Sequence, residues 1–180
     1  MYKLIINLKT YEESFGENAI KLAEIVDELY DEAVKRNVEI ILCPQTIDIR
    51  DVVKTGVKSY SQHIDDVEFG AHTGHIAPEE LKRIGVRGTL ISHSEDIEEL
   101  SSIKRKIEMA RNLGLETCVC ARDDKVAGEI SKFEPNYIAV EPKELIGWDI
   151  SIYTANPDLI KRSLSAVKGC NLLVGAGVKN

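Results

Sequence analysis

Four polar residues at the ends of apolar, strand-like runs are of the types that move protons. Asn7 and Lys9 close the run Leu4-Ile5-Ile6, His93 follows Leu90-Ile91-Ser92, and Glu141 follows Ala139-Val140. A carboxylate can take a proton, and an imidazole, a cation and an amide can hold the negative charge left behind. These residues are far apart in sequence. They can cooperate only in a fold that delivers many parallel strand ends to one rim. Singly, each has an ordinary reading: Lys9 and Glu141 as solvated charges, His93 as a satisfied core histidine, and Asn7 as a turn former.

The elements that must position them follow from the hydrophobic periodicity. After the first run, Ser14-Phe15-Gly16-Glu17 has capping-box spacing, and a long helix with a Leu22, Val26, Leu29 and Ala33 stripe should follow. Val38 to Cys43 reads as a strand, Asp48 to Lys54 as a short helix and Val57 to His63 as a strand. A loop from Asp65 to Ile76 leads to a helix opened by Pro78, then a strand from Thr89 to His93. A helix from Ile97 to Leu113 ends at Gly114, Leu115 to Ala121 is a strand, and Asp123 to Phe133 is helical. Tyr137 to Val140, a helix from Asn156 to Val167, and Leu172 to Val174 complete the reading. Runs such as Ile40-Ile41-Leu42 and Leu172-Leu173-Val174 lack polar alternation, as parallel strands covered on both faces do. The class is α/β. Periodicity leaves open whether the strands form a doubly wound sheet or most of a closed barrel.

The 180 residues are 43% hydrophobic and 29% charged, enough for one globular domain with a core. The 23 Lys and Arg against 30 Asp and Glu give a net charge of −7, which offers no general attraction for nucleic acid or anionic membrane. No apolar run approaches the roughly 20 residues of a spanning helix, and no secretory leader precedes Tyr2, so the expected location is cytoplasmic. Cys43, Cys118, Cys120 and Cys170 lack zinc or disulfide spacing and read as reduced structural thiols. His72 and His75 invite a metal reading, but Thr73, Gly74 and Pro78 mark their segment as a loop, and no metal site is expected.

The stretch Asn7-Leu8-Lys9-Thr10-Tyr11 resembles the end of strand one in triosephosphate isomerases of the short archaeal type. His93-Ser94-Glu95 resembles that family's strand-four motif, and Glu141-Pro142 with Glu144-Leu145-Ile146-Gly147 its strand-six motif and mobile loop. Cys43-Pro44-Gln45, Gln62-His63-Ile64-Asp65, His72-Thr73-Gly74-His75 and Gly175-Ala176-Gly177 follow in the same order. The resemblance spans the whole chain and implies a (β/α)8 barrel, here a single domain over residues 1–180 that stops after its seventh strand.

The resemblance also implies a cofactor-free isomerase of glycolysis and gluconeogenesis that interconverts D-glyceraldehyde 3-phosphate and dihydroxyacetone phosphate. It makes Glu141 the base, His93 the neutral electrophile, Lys9 and Asn7 the stabilisers of developing charge, and Glu95 a supporting residue. Gly147, Gly175, Ala176 and Gly177 would bind the phosphate through backbone N–H groups. The loop from Asp65 to Ile76 would join copies into a homo-oligomer. Such barrels usually need about 200 residues or more, so the expected missing strand would come from a longer product, a separate chain or a neighbouring subunit.

Two departures bear on activity: Trp148-Asp149 follow Gly147 where a small polar residue and a glycine are usual, and Asp96-Ile97 replace basic residues after the strand-four motif. The alternatives are a catalytically weak or inactive paralogue serving as an interaction subunit, and another phosphosugar-handling barrel enzyme.

Overall fold

Apolar runs pair in parallel and the amphipathic segments between them coil into helices, so the protein is α/β. The computed structural model describes residues 1–142 and 152–175. The chain divides into two compact units, Met1–Leu90 with Leu113–Leu115, and Ile91–Asn112 with Glu116–Asn180.

In the first unit, β1 (Tyr2–Asn7) runs parallel to β2 (Val38–Cys43), in register from Tyr2 opposite Val38 to Asn7 opposite Cys43. Between them lie a 3-10 turn at Glu12–Ser14 and helices α1 (Glu17–Glu28) and α2 (Tyr30–Lys35). The chain continues through α3 (Ile49–Lys54), β3 (Tyr60–Ser61), α4 (Pro78–Ile84) and β4 (Gly88–Ile91), and β3 pairs in parallel with β4. Leu8, Ala19, Ala23, Leu42, Val52 and Val57 form this unit's core. Pro78 opens α4 as expected, and Gly85, at φ 102°, closes it in the left-handed conformation.

Two expectations about α1 are corrected. Gly16, not Ser14, is the N-cap. The Ser14 hydroxyl instead donates to the Leu8 and Tyr11 carbonyls, and the Asp48 carboxylate accepts from Gly16 N–H at 3.0 Å. The long helix also breaks at Leu29, which is 48% exposed. Glu24, Asp27, Glu28, Asp31 and Glu32 place like charges four residues apart, which opposes a continuous helix there. The buried face is centred on Ala19 and Ala23, whose small side chains allow close packing, with Leu22 and Val26 flanking them.

The second unit contains α5 (Leu100–Asn112), β5 (Glu116–Ala121), α6 (Asp124–Ser131), β6 (Tyr137–Val140), α7 (Ile152–Ala155), α8 (Pro157–Ala166) and β7 (Asn171–Val174). Strand β6 is parallel to both β5 and β7, with Val140 opposite Ala121 on one side and Val174 on the other. Asp123 caps α6 by accepting from Val126 N–H, and Asn156 caps α8 by accepting from Leu159 N–H. The core includes Ile107, Val119, Ile130 and Ile138. Strand β7 departs from the expected full burial: Leu172 packs on this core, but Val174 is 40% exposed. Helix α5 begins at Leu100 rather than Ile97. No helix among the described residues is long and apolar enough to cross a membrane.

Glu39, on β2, is bridged by Lys3 from β1 and by Lys58, the latter at 3.0 Å. Desolvation pushes the Glu39 carboxyl up, but the hydrogen bonds from Lys3 and Lys58 outweigh it and hold the group below its ordinary value. A carboxylate depressed by folding stabilises the native state above its unfolded pKa, and that contribution is lost as pH falls through the folded value. Glu39→Gln should therefore melt at a lower temperature than the parent chain at pH 7, and the difference should shrink below about pH 4. Thermal melts at both pH values check this; a difference that does not change with pH would show that the ionised carboxylate is not its source.

Candidate active site

Strand pairing in the second unit brings Glu141 to its position. Its backbone N–H donates to the Ala121 carbonyl at 3.0 Å, continuing the β5–β6 ladder one residue past β6. On the other side, Gly175 N–H donates to the Val140 carbonyl at 3.1 Å. The base of the Glu141 side chain is thus fixed from both neighbouring strands. The side chain is 22% exposed, and Oε2 itself is shielded from solvent.

Glu141 Oε2 lies 3.5 Å from His93 Nε2. His93, 13% exposed, stands two residues past β4. Glu95 N–H points at His93 Nδ1 at 3.2 Å, a geometry that favours the tautomer with the ring proton on Nε2. The chain turns at residues 94–96 before α5 begins, which brings this backbone N–H to the ring. The Glu95 carboxylate lies 3.5 Å from the same Nδ1. An imidazole that can donate from Nε2 beside a carboxylate that can accept is suited to moving a proton to and from a carbon next to a carbonyl.

Asn7 and Lys9 are brought together in the first unit. The Asn7 side-chain oxygen accepts from Lys9 N–H at 3.0 Å, the Asx-type turn anticipated as its ordinary role. This contact supports Lys9 in a left-handed conformation at φ 50°, unusual for a residue with a side chain. Gln62 reinforces the turn, its amide donating to the Lys9 carbonyl at 3.1 Å and the Cys43 carbonyl at 2.9 Å. The sequence reading used Gln62 only as part of a matching pattern. Its signal was a polar side chain near the end of an apolar strand-like run.

Of the residues expected to bind phosphate, Gly147, Ala176 and Gly177 are outside the described residues, as are Trp148 and Asp149. Gly175 N–H donates to the Val140 carbonyl. Its contribution is steric: a Cβ built on Gly175 would lie 2.2 Å from Glu141 Oε1. Only glycine leaves the carboxylate where it stands.

A cavity of about 410 Å3 in the second unit is lined by Ser92, Ser94, Glu98, Arg122, Lys125 and Glu141, among others. Burial, with the Glu141 charge adding to it, pushes the Cys118 thiol well above its ordinary value, which keeps it protonated and inert. In the first unit, His63 and His75 each approach Asp65 Oδ1 at 3.3 Å. No group of metal-ligating side chains occurs among the described residues. In a Gly175→Ala protein the Glu141 carboxylate should move by about 1 Å to restore van der Waals separation. A crystal structure of that variant checks this; an unmoved carboxylate would remove the steric role.

A sequence model of the triosephosphate isomerase family matches residues 2–180. The chain is 40% identical to the triosephosphate isomerase of Methanocaldococcus jannaschii over 97% of its own length and 81% of the relative's. It is 38% identical to that of Methanoculleus marisnigri, over 98% of this chain and 81% of the relative. Its identity to that of Thermoplasma volcanium is 37%, over 100% of this chain and 83% of the relative. A match of this extent, in a parallel α/β chain that sets a histidine beside a strand-end carboxylate, shows that the protein belongs to the triosephosphate isomerase family.

Proposed function

We propose that the chain interconverts D-glyceraldehyde 3-phosphate and dihydroxyacetone phosphate without a cofactor, a step of glycolysis and gluconeogenesis. Family membership supports the substrate, and the 3.5 Å approach of His93 Nε2 to Glu141 Oε2 carries the chemistry. In this reading Glu141 removes the proton from the carbon beside the carbonyl and returns it to the adjacent carbon. His93 donates from Nε2 to the oxygens of the enediolate formed between those steps. Its Nδ1, held by Glu95 N–H, fixes which nitrogen donates. Lys9 adds positive charge against the same developing anion, and Asn7 holds the turn that presents it. The phosphate falls to backbone N–H groups of the segments around Gly147 and Gly175-Ala176-Gly177, a glycine-rich set that permits close approach.

We also assign the loop from Asp65 to Ile76 to contact between copies of this chain. Its neck is closed by mutual hydrogen bonds, Asp65 N–H to the Ile76 carbonyl at 2.9 Å and Ile76 N–H to the Asp65 carboxylate at 2.7 Å. Phe69 within it is 53% exposed, with the Arg83 guanidinium over its ring at 4.6 Å. An exposed aromatic on a loop with a fixed neck suits a protein contact. The buried thiols of Cys43, Cys118 and Cys120 agree with a reducing, cytoplasmic setting.

Glu141→Gln should lower kcat by roughly 10²- to 10⁴-fold with little change in melting temperature; a coupled isomerase assay showing parental turnover would remove Glu141 as the base. Phe69→Ser should shift sedimentation velocity toward a smaller species. An unchanged sedimentation coefficient would take the loop out of the interface.

A further inference from the structure

One charged pair in the second unit is buried without a part in the reaction described above. Lys106, on α5, is 3% exposed as a residue, and its Nζ lies 2.5 Å from Glu98 Oε2. The Glu98 side chain is 11% exposed. Burying two charges carries a desolvation cost that their attraction often only balances, so such a pair is weakly explained by stability alone.

What the pair grips is the segment that carries His93. Glu98 Oε1 accepts from Ser92 N–H at 3.4 Å, and Glu98 N–H donates to Ser92 Oγ at 3.1 Å. These reciprocal bonds close residues 92–98 as a capping box closes a helix start. Ser102, one helical turn before Lys106, donates to Glu98 Oε2 at 2.9 Å. Ser92 meanwhile adopts φ 56°, a left-handed conformation that a serine holds only where its surroundings over-determine it. The next residue is His93, so the direction of its side chain depends on Ser92 keeping that conformation.

We propose that Glu98 and Lys106 are positioning residues for His93: through Ser92 they hold the imidazole with Nδ1 toward Glu95 N–H and Nε2 toward Glu141. Glu98 fixes both backbone and hydroxyl of Ser92, and Lys106 holds Glu98 in place. The proposal rests on the isomerase reading for its kinetic consequence, but its structural consequence is read without turnover.

The test uses Lys106→Met, which removes the charge while keeping an unbranched side chain, and Ser92→Gly, which removes the hydroxyl and tolerates the positive φ. Each is examined well below its melting temperature for kcat, for KM, and for the 15N shifts of the His93 ring. Loss of alignment should lower kcat by roughly 10- to 100-fold in Lys106→Met, with KM changed less, because the histidine contact strengthens as charge develops. The ring nitrogens should shift from one tautomer toward an average of two. Ser92→Gly should show the same changes in smaller degree, and decides the question if Lys106→Met does not fold. Parental ring shifts in the folded variants would overturn the proposal, whatever the melting temperature. If the parent chain itself lacks isomerase activity the functional reading fails, and the ring shifts still decide the positioning role.

Discussion

A carboxylate that carries a proton between neighbouring carbons must be held to a fraction of an ångström while remaining free to accept. The second unit meets this through backbone pairing rather than through side-chain contacts alone. Strand β6 is flanked on both sides, and the ladders run on to the Glu141 and Gly175 amides. Glu141 therefore leaves the sheet from a point braced by β5 and β7. The glycine on one flank leaves space for its carboxylate that any side chain would fill. The histidine contact and the shielded carboxylate oxygen depend on this register. A slip of one residue would turn Glu141 to the opposite face.

Two left-handed residues show how other candidate residues are held, each within its own unit. Lys9 and Ser92 each occupy a backbone conformation that side chains disfavour, and each is secured by a polar neighbour: Asn7 for Lys9, Glu98 for Ser92. In both cases the turn immediately after a strand is locked, so that a candidate side chain is presented in one direction. Strain held by a hydrogen-bond network is a familiar property of functional sites.

Much of this was legible in the residues. Strand and helix periods placed every described strand, with β2 and β6 at their observed bounds, because parallel strands buried on both faces carry unbroken apolar runs. Pro78 and Gly114 marked helix ends, since their backbone preferences are local. The failures were tertiary. Ser14 fits a capping box locally, but its hydroxyl is taken by the Leu8 and Tyr11 carbonyls, and the long helix yields at Leu29 to its own acidic crowding. The place of Gly175 beside Glu141 depends on β6–β7 register, which the sequence alone does not state. Nothing in the sequence marks Glu98 and Lys106 out from the other charges around α5, and only packing reveals their burial.

The central claim is that Glu141 exchanges a proton with the substrate carbon. It is tested most directly by incubating the chain with dihydroxyacetone phosphate in D2O and following deuterium entry into carbon-bound positions by NMR, beside the Glu141→Gln variant. The parent chain should incorporate deuterium as it isomerises the substrate, and the variant should lose that incorporation. Incorporation at the parental rate in the variant would contradict the account.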